Sequence, residues 1–198
     1  MDLASLILRI THQTLIKTSN HLWLLGNIIP MKLGWKDIDP FVKNPNPKAR
    51  AVLIYGPDAG LMRERSDSIG KSVCKDLNDP FNVSTFSAET LLDDKARLAD
   101  EALAMSMMGG ARLIRIEGAS DKITTIMKDY LASPSQENLV LVEAGELGTK
   151  SSLRTNYKKS DNAAALPCYL DDDRAVAGLA KQILGDAGYK IQPDALNW

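Results

Sequence analysis

The sequence predicts an α/β fold, a three-layer α/β/α sandwich around a five-stranded, mainly parallel sheet. Three observations point there. Ala51-Val52-Leu53-Ile54-Tyr55 and Leu139-Val140-Leu141-Val142 are continuous apolar runs, the pattern of strands covered on both faces. Segments with apolar residues at helical spacing alternate with such runs. Turn residues such as Asn78-Asp79-Pro80 and Ser133-Pro134 separate them, which is the rhythm of strand–helix crossovers in a parallel sheet.

Taken in order, the run at 51–55 opens the sheet. After Gly60, the residues Leu61, Met62, Ile69, Val73 and Leu77 predict a helix that ends before Asn78. Phe81 to Ser87, with Phe81, Val83 and Thr85 alternating, predicts a short strand near the sheet edge. Asp93-Asp94 is suited to cap a helix with Leu98, Ala102 and Met105 on one face, continued by Ala99 and Leu103. Ala111 to Ile116 is the third strand. Ser120-Asp121 then caps a helix carrying Ile123, Ile126, Met127, Tyr130 and Leu131, which stops at Ser133-Pro134. The run at 139–142 is the fourth strand, Leu153 and Tyr157 mark a short helix, and Ala163 to Tyr169 is the fifth strand. Asp171-Asp172-Asp173 predicts one more helix, with Val176, Leu179, Ala180, Ile183 and Leu184 on one side and Gly188 closing it.

This gives a domain over 31–170 and, over 171–198, the start of a small helical second domain. Residues 1–30 read as an N-terminal extension from a misassigned start, because the globular pattern begins at Met31-Lys32-Leu33-Gly34-Trp35. Within that extension, Leu3 to Ile10 and Leu22 to Ile29 are too short to span a membrane, and no basic stretch or small-residue cleavage site marks a signal peptide.

The chain has 198 residues, 44% hydrophobic and 25% charged, with a formal net charge of -1. That is enough to bury a full core, and it lacks the basic stripe of a protein that grips nucleic acid by itself. Cys74 and Cys168 stand far apart and match no disulfide framework or zinc spacing, which suits a reducing cytoplasm. Both histidines, His12 and His21, fall in the extension, so acid–base or triad chemistry based on histidine is not expected in the domain.

Gly56-Pro57-Asp58-Ala59-Gly60 follows the first strand where a nucleotide-binding fold carries its phosphate loop. A working loop continues to a glycine, a lysine for the β and γ phosphates and a hydroxyl for magnesium. Counted from Gly56, those positions hold Leu61, Met62 and Arg63. The third strand ends Ile116-Glu117-Gly118, with one acid where hydrolysis asks for two. The loop thus reads as a degenerate one that makes a tight strand-to-helix turn, although Arg63 and Arg65 lie near enough in sequence to approach an anion. Glu143 and Glu146 follow the fourth strand and read as solvated loop carboxylates. No catalytic residue, cofactor or metal is expected.

Ser106-Met107-Met108-Gly109-Gly110 ends the helical run through Leu98. If Met105 continues the buried face, Met107 and Met108 lie about 200° and 300° further round at about 100° per residue, and cannot share that face. A polarizable pair at a helix end suits an apolar pocket on another protein, and the two glycines let the chain turn away.

These segments together resemble the delta subunit of bacterial DNA polymerase III, a clamp-loader component, from about Met31 to Trp198. The resemblance rests on Leu53-Ile54-Tyr55-Gly56-Pro57-Asp58-Ala59-Gly60-Leu61 with Arg63-Glu64-Arg65, on Asp79-Pro80-Phe81, on Arg97-Leu98-Ala99-Asp100-Glu101-Ala102, on Ser106 to Gly110, and on Leu141-Val142-Glu143-Ala144-Gly145. It implies an AAA+-like first domain without ATPase activity, followed by two helical domains, of which most of the second and all of the third are lacking. It also implies a role in DNA replication as a non-catalytic part of the DNA-directed DNA polymerase III holoenzyme, a nucleotidyltransferase complex in the cytoplasm. In the family a hydrophobic pair enters the cleft of the beta sliding clamp and helps open the ring, while gamma/tau and delta prime subunits complete a loader that holds DNA. The matching positions are Met107 and Met108, with Ser106 beside them; Leu and Phe are commoner in the pair. The alternative is a nucleotide-binding or small-ligand α/β domain with residual phosphate-loop function, or a phosphoacceptor using Asp58 with Glu117 or Glu143.

Overall fold

The computed structural model describes residues 31–106 and 109–169. The extension at 1–30, the predicted helix at 171–198 and the pair Met107-Met108 lie outside the described residues.

Five strands, β1 (Ala51–Tyr55), β2 (Val83–Ser87), β3 (Leu113–Ala119), β4 (Leu139–Ala144) and β5 (Ala163–Pro167), form one sheet in the order β2-β3-β4-β1-β5. Every pairing is parallel, so the sheet is wholly rather than mainly parallel. β1 leads across the sheet to the far edge, β2 and β3 return one strand at a time, and β4 steps over β1 to β5.

Parallel strands need crossovers, and these cover both faces. On one side Ile38 and Phe41 of α1 (Ile38–Lys43) and Ile69 of α2 (Ala59–Val73) pack on Val52, Ile54, Leu141 and Leu166. On the other side α3 (Ala88–Asp93), α4 (Arg97–Leu103), α5 (Thr124–Ala132) and α6 (Ser152–Lys159) cover Leu53, Tyr55, Ile114, Ile116 and Val142. All five residues of β1 are fully buried, as the unbroken apolar run requires. Each large aliphatic side chain so buried contributes about 1.5–3 kcal/mol.

Several local expectations are corrected. α2 stops at Val73 rather than Leu77, because Cys74 turns extended and the Asp76 carboxylate accepts the Asn78 N–H, a local bond that competes with helix. Leu77 still packs on the core from the loop. In β2 the expected alternation holds only at Val83, which packs on the core of one face; Phe86 is buried on the other face, and Thr85 and Phe81 are exposed. Phe81 precedes the strand, in a turn that Asp79 draws together by accepting from Phe81 N through its carboxylate and from Val83 N through its carbonyl.

Asp93 does not begin a helix; it ends α3, which Ser87 caps by accepting from Thr90 N. α4 then runs only to Leu103, three residues short of Ser106. Of its predicted face, Leu98 and Ala102 are buried, while Ala99 and Leu103 are exposed and Met105 is 85% exposed. The premise that Met105 continues the buried face is therefore wrong. Ser120 makes no side-chain cap for the turn at Asp121–Ile123. Asp121 instead reaches the start of α6, accepting from Leu153 N at 2.9 Å and Ser151 Oγ at 2.6 Å. Those two bonds hold its carboxyl below the usual carboxylate range.

Candidate functional site

The carboxyl end of β1 is the place where an open parallel sheet reverses its strand order and ordinarily receives a ligand. Here it is filled from within. Gly56 takes φ +152° and lies so close to the chain leaving β5 that a Cβ would stand 2.0 Å from the Cys168 carbonyl oxygen. Gly56 N donates to Gly145 O, and Asp58 N donates to Cys168 O. Pro57 has no N–H to offer. The Asp58 side chain accepts from Leu61 N at 2.9 Å, placing a carboxylate at the N-terminus of α2, where a phosphate would need to bind. The amides of Gly56, Asp58 and Leu61 are thus engaged within the protein, and a carboxylate of its own already stands at the helix start.

The side chains agree with that reading. Leu61 and Met62 lean onto the core, and Arg63 points to solvent. Arg65 donates to Pro167 O at 2.6 Å, reaches Cys168 Sγ at 3.6 Å and stands 3.7 Å from the Asp39 carboxylate, so it ties β5 to α2 and the anion it meets is the protein's own. Burial pushes the Cys168 thiol up, which works against a nucleophilic role.

Glu143 is not a solvated loop carboxylate. It sits within β4 and accepts from Arg115 Nη2 at 2.8 Å and from Ser66 Oγ, while Arg115 Nη1 reaches Asp67 at 3.0 Å. Burial disfavours the Arg115 charge, but Glu143 and Asp67 outweigh it and raise its pKa. This network fastens α2 to the sheet. Glu117 and Glu146 are exposed, and the described residues bring neither into a cluster with Asp58. Among the described residues no group of three or more His, Cys, Asp or Glu is placed to hold a metal ion, and no helix is long and apolar enough to cross a membrane. A cavity of about 550 Å³ opens between α4 and α5, with Leu98, Leu103, Ile126 and Tyr130 in its wall; no residue from Gly56 to Arg63 lines it.

The second predicted site is the segment after α4. Leu103 and Met105 are 70% and 85% exposed, although large apolar side chains on either side of them in the chain are buried. The single Ser106 Oγ proton faces two acceptors, Asn82 Oδ1 at 2.5 Å and Gly109 O at 3.0 Å, the shorter contact being to Asn82, and Gly109 N donates to Ser106 O at 3.3 Å. Gly109 and Gly110 both hold positive φ, +80° and +88°, the turn expected of two glycines there.

Beneath this segment lie polar residues that the sequence did not single out. Asn138, 5% exposed, donates through Nδ2 to Ala102 O at 2.8 Å and Ala104 O at 3.0 Å, and accepts from Arg112 N at 2.8 Å. The Arg112 guanidinium, also buried, bonds Glu101 O, Glu101 Oε2 and Ser84 Oγ. The only signal in the sequence is position: Arg112 and Asn138 each stand one residue before a buried strand.

A sequence profile for DNA polymerase III, delta subunit, matches residues 52–168, more than half of the chain. The chain belongs to that family. The fold agrees with a solved structure described as the Bacillus subtilis DNA clamp loader delta protein (YqeN), with a TM-score of 0.59 at 19% identity over 81% of this chain and 50% of that one. A gamma subunit-related protein of DNA polymerase III from Thermotoga maritima matches at a TM-score of 0.45 and 12% identity, over 77% of this chain and 50% of that one. The chain spans about half the length of these solved structures. No curated protein matches it.

Proposed function

We propose that this chain is the clamp-binding part of a clamp-loader subunit, and that Ser106, Met107 and Met108 form the contact with the beta sliding clamp. The observation that carries the reading is the exposed apolar run, Leu103 and Met105, leading to the two methionines in a family whose name is DNA polymerase III, delta subunit. An apolar segment at a turn tightened by Ser106 and Gly109 suits a cleft on a partner, where Met adapts to the pocket it finds. The amides of Gly56, Asp58 and Leu61, engaged within the protein, and the lack of a loop lysine support a non-catalytic role, with ATP hydrolysis left to partner subunits of gamma/tau or delta prime type. The work on the ring is then differential binding: a subunit that holds the open clamp more tightly than the closed one shifts the ring toward opening. DNA enters through the assembled loader.

Binding to the cognate sliding clamp tests this, with Met107→Ala/Met108→Ala alongside. Loss of at least about tenfold in affinity, or about 1.4 kcal/mol, is expected from the double substitution. If the unaltered chain does not bind, or the substitution changes nothing, the assignment fails. No thermal stabilisation by ATP is expected; its appearance would favour a retained nucleotide site.

A further inference from the structure

We infer that Asn82 and Asn138 are positioning residues that hold the exposed run Leu103–Ser106, which leads to Met107 and Met108 in the sequence, an inference that rests on the clamp-binding reading above.

A helix end leaves backbone carbonyls without partners inside the helix, and a chain leaving it is free to fray unless something takes them. α4 has no capping glycine; its C-cap is Ala104, in extended conformation. Asn138 takes up this end, with one amide nitrogen bonded both to Ala102 O, in the last turn, and to Ala104 O, beyond it. The amide is itself fixed, because its oxygen accepts from Arg112 N and its backbone N donates to Ser135 Oγ. A buried side chain with fixed partners on both sides sets where the chain leaves the helix.

Two residues further on, Asn82 performs the same task from the other side. Its Oδ1 accepts from Ser106 Oγ, its Nδ2 donates to Asp79 at 2.7 Å, and its carbonyl accepts from Leu113 N at the head of β3. Positions 102, 104 and 106 are therefore each bonded to a residue rooted at the amino-terminal edge of a strand: Asn138 before β4, and Asn82 before β2. The exposed apolar side chains of Leu103 and Met105 alternate with these anchors. A segment anchored at every second residue gives up less conformational freedom when a partner closes on it, which is how preorganisation adds affinity without adding contact. The same bonds would serve no such purpose if the segment were only a connector, since α4 and β3 are already held by Leu98, Ala102 and Leu113 in the core.

The test measures clamp affinity of the full chain for Asn82→Ala, Ser106→Ala and their double variant, with Asn138→Ala and the Met107→Ala/Met108→Ala variant beside them. Hydrogen exchange at the Gly109 amide, which Ser106 O accepts, reports on the segment without the clamp. We expect Asn82→Ala and Ser106→Ala each to weaken binding about fivefold, the double variant to be no weaker than either, and Gly109 exchange to quicken. Asn82 and Ser106 are half-buried and neither belongs to the apolar core, so the thermal midpoint should fall by a few degrees at most. Asn138→Ala should weaken binding more, at some cost in stability. Singles that bind normally, or a double variant that loses the product of the two, overturn the inference. If the methionine variant loses binding while Asn82→Ala keeps it, the positioning role alone fails. If the methionine variant binds normally, the reading beneath it fails as well.

Discussion

Gly56 and Cys168 are in backbone contact: Cys168 N donates to Tyr55 O at 2.7 Å, and the space for a side chain at position 56 is taken by the Cys168 carbonyl. The exit of β5 thus lies across the end of β1 and closes the turn that a working phosphate loop leaves open. Gly56→Ala would combine a φ of +152° with overlap against backbone that cannot swing aside. A loss of about 3 kcal/mol or more is expected, read as a lowered urea midpoint. A variant as stable as the parent would show that the two strand ends part easily.

The pair Arg115–Glu143 lies under α2 with side chains only 12% and 18% exposed. Arg115→Ala leaves the carboxylate facing Ser66 without its cation and should cost about 3 kcal/mol. Glu143→Gln keeps an acceptor for Ser66 and leaves Arg115 paired with Asp67, so about 1–2 kcal/mol is expected. Replacing both, as Arg115→Met with Glu143→Leu, should come within about 1 kcal/mol of the parent, because apolar packing substitutes for a buried pair without its desolvation cost. Chemical denaturation of the parent, Arg115→Met, Glu143→Leu and their double variant closes the cycle. Additive losses would mean that the network does not act as a unit.

How much of this was legible in the sequence follows from which forces are local. β1 and β4 are buried on both faces, so their apolar runs are unbroken and no phase has to be chosen. β2 is an edge strand with Val83 packing on one face and Phe86 on the other, and Phe81 lies before it in the Asp79 turn, so a single alternating phase does not describe the segment. α1 and α3 are six residues each, too short to show a period. The degenerate loop was visible as missing residue types, but its closure by Cys168 needs a contact across more than a hundred positions. Glu143 was misread for the same kind of reason, since its partner Arg115 lies on a neighbouring strand. Met105 failed because helical spacing continues on paper past the point where Asn138 has taken the helix end.

Buried tyrosines make the fold sensitive to alkali. Burial pushes the Tyr130 hydroxyl up to about 12, and that of fully buried Tyr157 well above its ordinary value. In the unfolded chain a tyrosine titrates near 10. A raised folded-state pKa gives a contribution fully present below about pH 10 and lost as pH rises from about 10 to about 12. For Tyr130 this amounts to about 2–3 kcal/mol across that window. Thermal midpoints taken from pH 8 to 12 should fall steeply above pH 10, and Tyr130→Phe should flatten the fall. An unchanged slope in that variant would assign the alkaline transition to other groups.

Leu103 and Met105 separate folding from binding, because their side chains are largely in water before any partner arrives. Leu103→Ser and Met105→Ser should leave stability within about 0.5 kcal/mol of the parent, the usual range for exposed positions away from caps and cores. If the methionine segment enters a cleft, these neighbours lie at its rim, and each substitution should weaken clamp binding about threefold, with little dependence on salt between 50 and 300 mM on the order of the usual assay range. Salt enters the argument because charge-driven docking weakens steeply with ionic strength, whereas apolar burial does not. Affinity that collapses with salt would move the contact to the charged surface and away from this segment; affinity unchanged by both substitutions would confine it to Met107 and Met108.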